Sequence, residues 1–82
     1  MTIDELKNEI TDFLTESGVN APYKLYVGYS GDYQQRVAIE TTYVTKDLLD
    51  KIAERFGEYS IFSGGANGRD LFSIELRVRF ED

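Results

Sequence analysis

The chain has 82 residues, a net charge of −6, and neither histidine nor cysteine. Its length suits one small domain, 1–82, and the 41% hydrophobic content suffices for a single core. The missing side chains exclude disulfides, thiolate metal sites and nearly all zinc and haem centres, and the acidic balance argues against a strongly basic nucleic-acid footprint.

The absence of cysteine suits a reducing compartment, so a cytoplasmic protein is expected. No apolar run approaches the ~18 residues of a membrane span, and the acidic, amphipathic start is unlike a signal peptide.

The first predicted element is a helix from about Ile3 to Ser17. Thr2 is a good N-cap, and Glu5 completes a Thr-x-x-Glu capping box. Ile3, Leu6, Ile10, Phe13 and Leu14 form its apolar stripe, and Gly18 ends it. Glu5, Glu9, Asp12 and Glu16 recur at spacings of four, three and four, which lines them up as an acidic ridge. Such a ridge can dock on a basic surface, or simply keep a solvated helix face soluble.

Tyr23 to Tyr29 reads as the first strand, with Tyr23, Leu25, Val27 and Tyr29 inward and Lys24, Tyr26 and Gly28 outward. Ser30, Gly31 and Asp32 supply the turn. Gln34 to Tyr43 is the second strand, with Val37 and Ile39 inward and Arg36, Ala38, Glu40 and Thr42 outward. Keeping both apolar sets on one face requires a loop of odd length, such as three residues.

A second helix is predicted over Lys46 to Phe56. Thr45 is its N-cap, and Leu48, Leu49, Ile52, Ala53 and Phe56 face the core. Gly57 ends it. Glu58 to Ser63 is a short third strand with Tyr59 and Ile61 inward and Phe62 outward. Ser63 to Arg69 reads as a glycine-rich hairpin loop. It leads into a strand rather than a helix N-terminus, so it lacks the context of a phosphate-binding loop.

Asp70 to Phe80 carries the strongest pattern in the chain. Phe72, Ile74, Leu76, Val78 and Phe80 alternate with Ser73, Glu75, Arg77 and Arg79, as in an interior strand with one face on a core. The element order is then α-β-β-α-β-β, a helix followed by two strands, twice over. Two amphipathic helices must cover one face of a four-stranded sheet, which gives an α+β two-layer sandwich. The strand order 1-2-4-3 makes every neighbour antiparallel and puts the most apolar strand inside. Order 2-1-3-4 is the less favoured alternative.

Function is less legible. With no histidine or cysteine, the commonest general base and the thiol nucleophile are gone, so no enzyme activity, cofactor or metal is expected. The outer sheet face is the informative surface. It gathers Lys24, Tyr26, Arg36, Phe62, Leu71, Arg77 and Arg79, and no further element remains to cover it. Exposed aromatics with arginine on a rigid sheet suit a protein interface, with another protein or a second copy as partner. The alternative is stacking of single-stranded nucleic acid on the same face, against which stand Glu40 and Glu75. The expectation is a small, acidic, non-enzymatic binding module such as an adaptor, inhibitor or regulator. The acidic helix surface is its second candidate site.

Overall fold

The computed structural model describes residues 1–19, 22–66 and 69–81. The elements run α1 (Ile3–Glu16), β1 (Tyr23–Tyr29), β2 (Gln35–Thr41), α2 (Lys46–Phe56), β3 (Tyr59–Ala66) and β4 (Arg69–Leu76). The sheet is antiparallel throughout with order β1-β2-β4-β3, as the patterning predicts.

Both helices are fixed at their ends by the residues expected to cap them. In α1 the Thr2 and Glu5 side chains each accept the other residue's backbone N–H, at 3.2 and 3.1 Å. Its C-terminus closes in a Schellman motif. Gly18 takes φ +72° and donates to Thr15, and Val19 donates to Leu14. In α2 the Thr45 hydroxyl accepts from the Leu48 N–H at 3.1 Å. Lys46–Asp50 and Lys51–Asp47 pairs brace its exposed face.

The core lies between the helices and one sheet face. Leu6, Ile10 and Leu14 of α1 and Leu48 and Ile52 of α2 meet Val27, Val37, Ile39, Ile74, Leu76 and Phe80. Helix α1 lies over β1 and α2 over β3, and an edge-to-face Phe13–Phe56 pair at 5.1 Å joins them. Ala53, expected in the core, is exposed. It falls on the flank of the stripe defined by Leu48, Ile52 and Phe56.

The first hairpin keeps its faces aligned by an odd loop. Leu25 faces Ile39, Val27 faces Val37, and the ladder ends at Tyr29 opposite Gln35. Ser30 N–H donates to the Gln34 carbonyl, and Tyr33 N–H donates to the Ser30 carbonyl. Gly31, Asp32 and Tyr33 are left as a three-residue tip. The last loop residue of such a tip takes the left-handed conformation, and here it is Tyr33, at φ +64°. Ser30 Oγ donates to the Asp32 carboxylate, and this bond, with the Gln34 N–H, holds the Asp32 pKa below its ordinary value.

Tyr33 is 88% exposed, so little packing offsets its left-handed backbone. That conformation costs roughly 1–2 kcal/mol for a residue with a Cβ. Tyr33→Gly is therefore expected to raise stability by up to about 1 kcal/mol, after the greater freedom of glycine in the unfolded chain is set against the relief. Urea denaturation of both proteins checks this. A loss of stability would show that the Tyr33 ring makes contacts worth more than the strain.

Two boundaries differ from the sequence reading by three residues or more. The expected loop over Ser63–Arg69 is mostly strand. β3 runs to Ala66, and Ala66 pairs with Arg69 across a two-residue connection. Asn67 and Gly68 themselves lie outside the described residues. The strand is thus eight residues long rather than a short edge.

The expected strand through Phe80 stops pairing at Leu76. There β2 contributes Val37 and β3 contributes Tyr59 as the last partners. Beyond it the alternation of faces continues without a ladder. Val78 packs against the core and Phe80 is buried. Gln35 takes the place of a strand neighbour. Its side-chain amide donates to the Phe80 carbonyl at 2.6 Å and accepts the Phe80 N–H at 3.1 Å. Glu81 then reaches the chain start, with its N–H on the Met1 carbonyl and a parallel bridge to Thr2.

Candidate functional site

The outer sheet face is assembled by the cross-strand register. Tyr26 faces Ala38, Ala38 faces Glu75, and Glu75 faces Ser60, which makes one row across all four strands. The next row is Lys24, Glu40, Ser73 and Phe62. Neither helix lies on this side, because the apolar stripes of both are used on the other.

Tyr26 is more occupied than its outward position implies. Its ring lies along β1 against Gly28, where an added Cβ would come within 3.3 Å of the phenol oxygen. Its hydroxyl donates to the Tyr29 carbonyl at 2.8 Å. The Arg36 guanidinium sits over the ring, 5.1 Å from its centroid, and Arg36 Nε donates to Glu75 Oε1 at 3.0 Å. The Arg36–Glu75 pair runs on the diagonal, since Glu75 stands opposite Ala38. Ala38 is fully buried beneath this group, although it points away from the core. A small residue at that position lets the ring and the ion pair close over the sheet.

Phe62 is different. It is 58% exposed, against 36% for Tyr26. With Ser60, Arg36, Glu75 and Arg77 it lines a shallow groove. The Ser73 hydroxyl, opposite Phe62, is buried with no hydrogen-bond partner among the described residues. Arg77 reaches Ser60 Oγ at 3.3 Å. Leu71 faces Gly64 further along the hairpin and is exposed.

The structure thus brings Arg36, Phe62 and Arg77 together along one groove, with Tyr26 across the sheet on β1 beneath the Arg36 guanidinium, and Lys24 and Leu71 further along the same face. Lys24 stands opposite Glu40, an opposite-charge pair of positions. Arg79 lies apart. It follows the end of β4 and lines a cleft with Tyr29, Tyr33 and Gln34 at the first hairpin's tip. The residue that sequence reasoning undervalued is Glu75. Read alone it opposes a nucleic-acid face, but in place it fixes the Arg36 fork.

The acidic helix surface is partly consumed within the fold. Glu5 is engaged in the capping box, and its hydrogen bonds with Thr2 hold its pKa below the ordinary glutamate value. Glu9 accepts from Arg55 of α2 at 3.2 Å. Glu16 lines a groove with Lys51 and Arg55. Asp12 is exposed. The four therefore do not present an unbroken row of unpaired carboxylates.

Among the described residues no group of three or more acidic residues is placed to hold a metal ion, and no helix is long and apolar enough to cross a membrane. Compared with protein-family models, curated proteins and solved structures, the chain matches none.

Proposed function

We propose that the protein is a non-catalytic binding module, an adaptor, inhibitor or regulator working in the cytoplasm, whose outer sheet face docks on another protein. The observation that carries this is the contrast between Phe62 and its surroundings. Phe62 stands out from the sheet beside the Arg36–Glu75 pair, which is already held in one arrangement with the Tyr26 ring under Arg36 on its far side. A preorganised polar group next to an exposed ring is what a protein interface uses, because little side-chain freedom is lost on docking.

The same geometry weighs against nucleic acid. The Arg36 charge is answered by Glu75, and Tyr26 is flattened along its own strand, so neither offers a base-stacking platform open on both sides. Glu40 adds a further negative charge to the face.

The test is capture of partners from the native host on immobilised wild-type protein, Phe62→Ala, and a variant with Glu5, Glu9, Asp12 and Glu16 neutralised. Affinity is then measured against salt for what binds. Phe62→Ala is expected to weaken binding by about 1–3 kcal/mol while leaving the thermal midpoint nearly unchanged. Binding should vary little with salt. A steep fall with salt for a nucleic-acid ligand would replace this reading with the nucleic-acid one. Loss of binding only in the neutralised variant would move the site to α1. Tyr26→Ala is a poorer probe, because that ring supports Arg36 and the β1 backbone as well.

A further inference from the structure

The two edges of the sheet are unlike each other. β1 carries Lys24 and follows Pro22, features that discourage pairing with another strand. β3 reads Tyr-Ser-Ile-Phe-Ser-Gly-Gly-Ala, without a charge or a proline in eight residues. Ile61 on the helix side and Phe62 on the outer side are both exposed, as are Ser63 and Gly64. Ile61 stands opposite fully buried Ile74. An aliphatic residue aligned with the core is thus left 37% open at the rim.

The charges are sorted in the same direction. Helix α1, over β1, holds five carboxylates against Lys7. Helix α2, over β3, balances Lys46, Lys51 and Arg55 against Asp47, Asp50 and Glu54. The acidic surplus lies over one edge, and the other edge is neutral in both its strand and its helix.

We infer that two copies of this chain pair through β3, antiparallel, to continue the sheet. Pairing there keeps the acidic helices at the far ends, whereas pairing through β1 would bring them together. The faces fix the register. Tyr59, Ile61 and Ser63 point to the helix side and Ser60, Phe62 and Gly64 outward, and directly opposed residues must share a face. A two-fold pair therefore centres on a residue, so that Ile61 meets its counterpart or Phe62 does. Either places the open Ile61 side chains in a shared core extension. The Ile61 contact common to both registers lies on the helix side of the sheet, so the pairing does not rest on what the outer face binds.

Sedimentation equilibrium of the wild type, with concentration varied, is expected to show the mass rising from 9.4 kDa to twice that and no further. Added salt should strengthen the dimer, because each copy carries −6. Ile61→Lys sets like charges directly opposite in one register and on the same-face diagonal in the other, and should weaken the dimer roughly a hundredfold. Its circular dichroism should stay native, and Lys24→Ser at the other edge should leave the dimer intact. As the chain has no cysteine, oxidised Ile61→Cys or Phe62→Cys should yield a covalent dimer, and the one that does so identifies the centre. A wild type that stays monomeric up to its solubility limit would overturn the inference. So would masses that grow beyond the dimer, which indicate β3-to-β1 addition, or failure of both cysteine variants to cross-link.

Discussion

Ile74→Ala is expected to lower the unfolding free energy by about 2–5 kcal/mol, the range for removing a large aliphatic side chain from a packed interior. Ile74 is wholly inaccessible to solvent. It sits on β4, flanked directly by Ile39 of β2 and Ile61 of β3, beneath the layer formed by both helices. Because β4 is an interior strand, it is itself held by ladders on both sides, and the backbone cannot move in to fill the space left. A small domain has little stability in reserve, so the variant is expected to show a large drop in its urea midpoint with an unchanged slope. A loss below about 0.5 kcal/mol, typical of surface positions, would contradict the placement of β4 between β2 and β3.

The parts of the fold that were legible in the sequence are those set by periodicity and capping. Leu6, Ile10 and Leu14 at helical spacing, with Thr2 and Glu5 before them and Gly18 after, specify α1 without knowledge of anything else. The alternation from Phe72 to Leu76 specifies β4 and its inward face, and the need to keep every neighbour antiparallel then orders the sheet. What alternation does not specify is pairing. Val78 and Phe80 keep the period of two, yet their segment has left the ladder, because period two reports which way side chains point and not whether a neighbouring strand is present. The extension of β3 past Ser63 had a usable signal, the Asn67-Gly68 dipeptide, which favours a two-residue hairpin. The glycines beside it read as loop because glycine weakens strands on average.

The candidate site was legible as a face but not as an arrangement. Alternation puts Lys24, Tyr26, Arg36, Phe62, Leu71 and Arg77 on the side away from the helices. It says nothing about the diagonal Arg36–Glu75 contact or the ring of Tyr26 lying on Gly28, both of which depend on cross-strand register. Ala38 shows the same gap. It faces outward as expected, yet it is fully covered by side chains from its own face. Arg79 keeps its place in the alternation beyond the end of the ladder at Leu76, and alternation alone does not reveal that it shares a cleft at the hairpin tip with Arg77 and Tyr33.

Phe80→Ala is expected to cost about 3–5 kcal/mol, as much as any single truncation in this chain, although the residue lies outside every helix and strand. Phe80 is 2% exposed, belongs to the core cluster, and meets the Tyr29 ring edge-to-face at 5.4 Å. Its backbone is held by both ends of the Gln35 amide, and the following residue bridges to Thr2 at the start of α1. The side chain thus anchors the segment that ties the sheet's end to the first helix. Gln35→Ala, which removes the two hydrogen bonds but leaves the ring, should cost less, about 1–2 kcal/mol, since the freed groups can turn to water once the segment loosens. The two positions share one docked segment, so their effects should not add. In the Gln35→Ala background, Phe80→Ala should cost measurably less than in the wild type. Denaturation of the two single variants and the double variant measures that coupling. Strict additivity, or a Phe80→Ala cost below about 1 kcal/mol, would mean that the C-terminal segment rests on the core without being held there by Gln35.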